Sequence, residues 1–212
     1  MNLKILGLFS ILFAFCSWAQ DKSMPMVSPS VQEFLETNGH DMNELVPSCA
    51  HFEACSDMYY HVKTYAFKGS AKVAFDLLLS LRPYEIWDNS SRFEMEYDPE
   101  QKVFLGKDQE LPKVALGQVF FLELDIVKKM QIPVAFKVVD LDRKNKTLSF
   151  SYLKQNKSNG IQRITFIQDG ENFKVVHETR FKSASQFRDK RLYRIFHERL
   201  LDDVWESFAK RL

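Results

Sequence analysis

Beyond its N-terminus the sequence lacks any stretch of eighteen or more apolar residues, so no membrane-spanning helix is expected there. It also lacks a surplus of either charge, with 29 Lys and Arg against 28 Asp and Glu. With Lys4 set aside the balance is 28 against 28, which predicts no general attraction to nucleic acid. Partners must then be recognised by shape or local chemistry. A glycine-rich phosphate loop, a Gly-x-Ser-x-Gly elbow and a paired-histidine metal motif are all missing. His197-Glu198, for instance, is followed by Arg199-Leu200-Leu201 and not by a second histidine. The motif-bearing enzyme classes are therefore not expected, and neither is a metal or a cofactor.

Cysteine is scarce, at three residues. One of them, Cys16, falls in a segment with the three-part layout of a secretory signal: a basic start at Lys4, an apolar run Ile5–Phe15, and a small-residue exit at Ser17-Trp18-Ala19. Residues 1–20 are read as that signal, cleaved after Ala19 or Gln20, which predicts a periplasmic or secreted protein. The mature chain is then one domain of roughly 190 residues. Lipid anchoring at Cys16 is the lesser alternative, because bulky Phe15 stands where a small residue should precede a modified cysteine. Two cysteines remain, Cys49 and Cys55, an even number in an oxidising compartment, and a disulfide is the favoured reading. Two inert thiols are one alternative. A metal set with His51 and His61 is another, although its spacing matches no common zinc arrangement.

Residues 21–59 read as an N-terminal extension. Ser30 and Glu33 suggest a capping box for a short helix Val31–Asn38 stopped by Gly39, and after Pro47 and the cysteines there is no periodicity. From Tyr60 the pattern becomes regular over residues 60–212. A strand-like run ends at Gly69. Ser70 then caps a helix in which Val73, Ala74, Leu77, Leu78 and Leu81 recur at helical spacing until Pro83. Strands follow at Gln118–Ile126, Val134–Asp140, Thr147–Leu153, Gly160–Gln168 and Phe173–Phe181, joined by short turns that include the hairpin signal Asp169-Gly170. Connections this short require antiparallel pairing. Residues 92–113 hold one or two further strands around Asp98-Pro99. The chain closes with a long helix, opened by a capping box Ser183/Gln186. Its stripe is Leu192, Ile195, Phe196, Leu200, Leu201, Val204, Trp205, Phe208 and Leu212, and the sheet is the surface available to cover it.

This order of elements resembles the START-like superfamily, also called SRPBCC, with its helix-grip fold and its polyketide cyclase-like and lipid-binding members. Locally, Gly69-Ser70-Ala71-Lys72-Val73-Ala74-Phe75-Asp76-Leu77-Leu78 followed by Pro83-Tyr84-Glu85-Ile86-Trp87 is similar to the way many members pass from first strand to first helix to an aromatic. The resemblance implies an α+β fold: a curved antiparallel sheet of about six or seven strands packed on the C-terminal helix. It further implies a cavity between them for a hydrophobic small molecule or lipid. The 19 phenylalanines suit such a cavity and suit a solidly filled core equally well.

In the strand Phe173–Phe181 the two-residue period puts His177 on an apolar face with Phe173, Val175, Thr179 and Phe181. His177 could orient a ligand's polar end, with Arg163 or Tyr152 helping from neighbouring strands. Phe136, Phe150 and Trp205 complete the set that the implied cavity would use. The plain alternative for His177 is a core-edge histidine with a satisfied hydrogen bond. Arg180, Lys182, Arg188, Lys190, Arg191, Arg194 and Arg199 gather near the start of the last helix, partly explained by the four-apart pairs Arg194/Glu198 and Arg199/Asp203. A solvated face is the simpler reading of that cluster, and an anionic head group or acidic partner the sharper one. Three matches to the glycosylation pattern, at Asn89, Asn145 and Asn156, are read as coincidental in a bacterial envelope protein. The expectation is thus a monomeric, non-enzymatic binding protein, with peripheral membrane or envelope contact. A cyclase- or hydratase-like enzyme using His177 and a cavity-less envelope interaction module are the alternatives.

Overall fold

The computed structural model describes residues 24–38, 45–87, 91–127, 130–183 and 193–212. The expected signal segment with Cys16, the expected helix stop at Gly39, Asn89, the basic residues Arg188, Lys190 and Arg191, and Leu192 all lie outside them. The elements run α1 Pro29–Asn38, β1 Tyr59–Lys68, α2 Ala71–Ser80, β2 Ser91–Asp98, β3 Val103–Gly106, β4 Val119–Val127, β5 Met130–Asp142, β6 Thr147–Tyr152, β7 Ser158–Asp169, β8 Asn172–Ser183 and α3 Tyr193–Ala209. Short 3₁₀ turns occupy Phe52–Cys55 and Pro83–Glu85. All strand pairs are antiparallel, in one sheet of eight with the order β1-β8-β7-β6-β5-β4-β2-β3. The expected α+β class stands, and residues 92–113 supply two strands.

The sheet's inner face meets α2 and α3 over the main core, where Phe75, Phe166, Phe173, Trp205 and Phe208 are buried together. Helix α2 starts where Ser70 accepts the Val73 N–H at 3.5 Å. Gln168 strengthens that start from across the fold. Its Oε1 accepts the Ala71 N–H at 2.8 Å, and its Nε2 donates to the carbonyls of Gly69, Gly170 and Asn172. One side chain thereby joins the β1–α2 turn to the β7–β8 hairpin. The buried stripe of α2 is Ala71, Ala74, Phe75, Leu78 and Leu79, and Val73, expected in it, is 65% exposed. Counting from Ala71 rather than Val73 rotates the face by two residues.

Helix α3 is described from Tyr193 and Ser183 closes β8, while Gln186, the other half of the expected capping box, lies outside the described residues. Its inward line is His197, Leu201, Trp205 and Phe208, while Ile195 and Leu212 face solvent. Polar ties fix its long axis along β1: His61 Nε2 meets Glu198 Oε1 at 3.0 Å, Lys63 Nζ meets Asp202 at 2.7 Å, and Tyr65 donates its hydroxyl to Asp202 at 2.9 Å. Burial, with Asp202 beside it, pushes the Tyr65 phenol up.

The outer face carries the N-terminal segment. Pro29 occupies the first helical position of α1, where a missing N–H costs nothing, and the Val31 and Gln32 N–H groups bond to Ser28. Ser30, expected as the cap, instead donates its hydroxyl to Glu123 at 2.5 Å. Val31, Phe34, Leu35 and Leu45 pack on Met95, Val119, Phe121 and Ala135. Cys49 and Cys55 are joined in a disulfide, which removes the inert-thiol and metal readings for that pair. No group of three or more metal-type side chains exists among the described residues. The bridge holds the turn whose Phe52 lies beneath the guanidinium groups of Arg163 and Arg180, 4.0 and 4.9 Å from the ring centre. For so small a loop the chain-entropy argument gives about 2 kcal/mol. Reduction, or Cys49→Ser with Cys55→Ser, should lower the unfolding free energy by that amount in urea titration, with no change in far-ultraviolet circular dichroism.

One irregularity matters for the interior. Strict alternation along β2 would face Ser91, Phe93, Met95 and Tyr97 inward, but the register slips between Phe93 and Met95. The slip sends Met95 to the outer cluster and turns Glu96 in, opposite Phe120 on one side and Leu105 on the other. Glu96 is fully buried and neither carboxyl oxygen has a hydrogen-bond partner among the described residues. Burial, with Asp98 close by, pushes it up to about 8.

Candidate ligand-binding site

Between the inner face and α3 lies a cavity of about 90 Å³. That is ample for several waters and below the range of drug-sized pockets, roughly 300 Å³ upward. Strands β4, β5 and β6 supply Phe120, Leu122, Phe136, Val138, Phe150 and Tyr152. The helical side supplies Leu78 from α2 and His197, Leu201, Val204 and Trp205 from α3. The aromatic wall is interlocked: Phe136 meets Tyr152 at 4.5 Å and Phe150 at 5.4 Å between ring centres.

Five of the six expected residues, His177, Tyr152, Phe136, Phe150 and Trp205, line this cavity. Arg163 does not. It stands on the outer face, bound to Glu178 at 2.8 Å and Glu53 at 2.9 Å and stacked on Phe52. On β7 the inward residues are its neighbours Gln162 and Ile164. Of the basic cluster, Arg194 pairs with Glu198 at 2.8 Å, and Arg180 bonds the Ser56 carbonyl and stacks on Phe52 and Tyr60.

His177 is the centre of a directed chain. The Trp205 indole N–H donates to its Nδ1 at 3.2 Å, so that nitrogen carries no proton. Its Nε2–H therefore donates to Gln162 Oε1 at 2.7 Å, and Gln162 Nε2 donates to the Tyr152 hydroxyl at 3.3 Å. Enclosure holds the His177 imidazole down at about 3, with His61 adding a smaller push. His197, whose Nε2 lies 3.4 Å from Thr179 Oγ1, is also held down by burial and then by His177 and His61. Both rings are therefore neutral at physiological pH.

A measurable consequence follows for His177. Unfolded, the ring takes a proton near 6.5; folded, it resists until about 3. Stability should thus fall as pH drops through that window. Long-range ¹⁵N–¹H spectra should show a single Nε2–H tautomer unchanged between pH 8 and pH 5. A titration midpoint above 5 would contradict the assignment.

No family model and no curated protein sequence matches the chain. Solved structures do. Ginseng major latex-like protein 151 from Panax ginseng matches with a TM-score of 0.53 at 11% identity, over 73% of this chain and 97% of that one. A Thermus thermophilus protein matches at TM-score 0.55 and 8% identity, over 72% and 96%. Norcoclaurine synthase from Thalictrum flavum, in complex with dopamine and hydroxybenzaldehyde, matches at 0.51 and 9%, over 72% and 85%. The chain has the START-like, helix-grip fold. At these identities the likeness speaks for the fold alone. Within this helix-grip chain, Gln162, His197 and Ser91 are cavity residues that sequence reasoning missed.

Proposed function

We propose that this chain is an extracytoplasmic binding protein for a hydrophobic small molecule, held between the sheet and α3. One observation carries the reading. A largely apolar cavity, aliphatic and aromatic in its lining, lies at the place where its polar lining groups His177, Gln162 and Tyr152 are bonded to one another. Empty apolar volume of this size costs stability, and an apolar occupant recovers it. The volume favours a compact molecule over a whole lipid. The Cys49–Cys55 bridge is compatible with the extracytoplasmic placement. The same geometry weighs against the enzymatic alternative, because a histidine with both nitrogens engaged and a depressed pKa is a poor base near neutral pH. The interaction-module alternative assumed a filled core.

Organic extraction of the purified protein followed by mass spectrometry should release a lipophile in near-stoichiometric amount. Repeated empty extracts from protein made in several expression hosts would overturn the proposal.

A further inference from the structure

The chemistry of the cavity lining narrows the class of occupant, an inference that rests on the binding reading above. No Lys, Arg, Asp or Glu is found among the described residues that line the cavity. An ionised group brought there would meet no opposite charge and would lose its hydration, at a cost of several kcal/mol per ion. The polar groups at the His177 end already satisfy one another.

At the far end the lining includes Ser91, the first residue of β2, paired across the sheet with Leu124, another lining residue. Arg92 beside it is exposed and Phe93 is buried in the main core, so the strand's alternation turns Ser91 inward. Ser91 is 4% exposed, and its hydroxyl makes no hydrogen bond among the described residues. A buried hydroxyl facing a cavity with no partner calls for one.

We propose that the cavity selects uncharged molecules carrying one hydrogen-bonding oxygen, a hydroxyl or carbonyl, and that Ser91 receives it. An apolar body would lie against Phe120, Phe136 and Trp205 while the oxygen meets Ser91 Oγ. One net hydrogen bond is worth about 0.5–1.5 kcal/mol, a preference of about fivefold for a ligand that makes it.

The test compares benzene, phenol and benzoate at pH 7, read as chemical-shift changes of leucine, isoleucine and valine methyl groups lining the cavity. Phenol should bind about fivefold tighter than benzene, and benzoate should not bind. Ser91→Ala should reduce phenol to the affinity of benzene with benzene unchanged, and Ser91→Thr should restore the preference. If benzene binds but phenol gains nothing, if benzoate binds as well as phenol, or if Ser91→Ala leaves the preference intact, this inference fails while the binding reading survives. If none of the three perturbs the cavity methyl groups, both fail together.

Discussion

Replacing Glu96 by Gln should make the protein markedly more stable in alkaline solution and leave it nearly unchanged near pH 5. The carboxyl ionises near 4.5 when exposed and near 8 in the fold. The folded state therefore keeps a proton that the unfolded chain gives up, so stability declines as pH rises from about 4.5 to about 8 and is level beyond. At about 1.36 kcal/mol per pH unit, the loss accumulated by pH 8.5 is on the order of 4 kcal/mol. The amide of Gln has nearly the same shape and does not ionise. Urea titrations from pH 4.5 to 9 should show the E96Q curve separating steadily from the unmodified protein above pH 5. Glu96→Leu, which also removes the unpartnered polar atoms, should lie higher than E96Q throughout. Parallel curves for E96Q and the unmodified protein would show that Glu96 is not buried in solution.

The opposite outcome is expected at Gly160. Its φ is +154°, and a Cβ placed there would stand 2.2 Å from the Arg180 carbonyl oxygen and 2.9 Å from the Phe181 Cα. Both obstacles are backbone of β8, so no side chain can rotate away. Relief would require parting β7 from β8 at the Gly160–Phe181 pair. The same residue anchors the N-terminal segment: its N–H donates to Ser48 Oγ at 2.9 Å, and its carbonyl accepts from the Ser48 and Ser151 hydroxyls. Gly160→Ala should therefore cost about 3 kcal/mol or more, with the loss read in thermal or denaturant unfolding. A variant within about 0.5 kcal/mol of the unmodified protein would mean that this approach is looser in solution.

The strands from Gln118 to Phe181 were legible because each is short, alternating and closed by a recognisable turn, and antiparallel order follows from the turn lengths alone. The error at Arg163 was avoidable. Counting back from the Asp169-Gly170 hairpin sets Arg163 opposite Glu178, on the face already assigned away from the cavity, and sets Ile164 opposite His177. Glu96 and Ser91 were harder. Alternation puts Glu96 outside, and nothing in Phe93-Glu94-Met95 announces the slipped register that reverses it. His197 was hidden because the stripe of α3 was drawn through its apolar residues, whereas the buried line includes a histidine and a serine, Ser207. Cavity volume has no local signature in a sequence, since it depends on how side chains from five or more elements meet.

Strands β4 and β5 are clamped between two hydrophobic layers, Phe120, Leu122 and Phe136 pressing on one side and Val119, Phe121 and Ala135 on the other. A wall sandwiched in this way resists flattening. Any adjustment to a bulkier guest must then be made by the helical roof, where Leu200 and Val204 are only partly covered and where the Lys63–Asp202 tie to β1 is open to solvent.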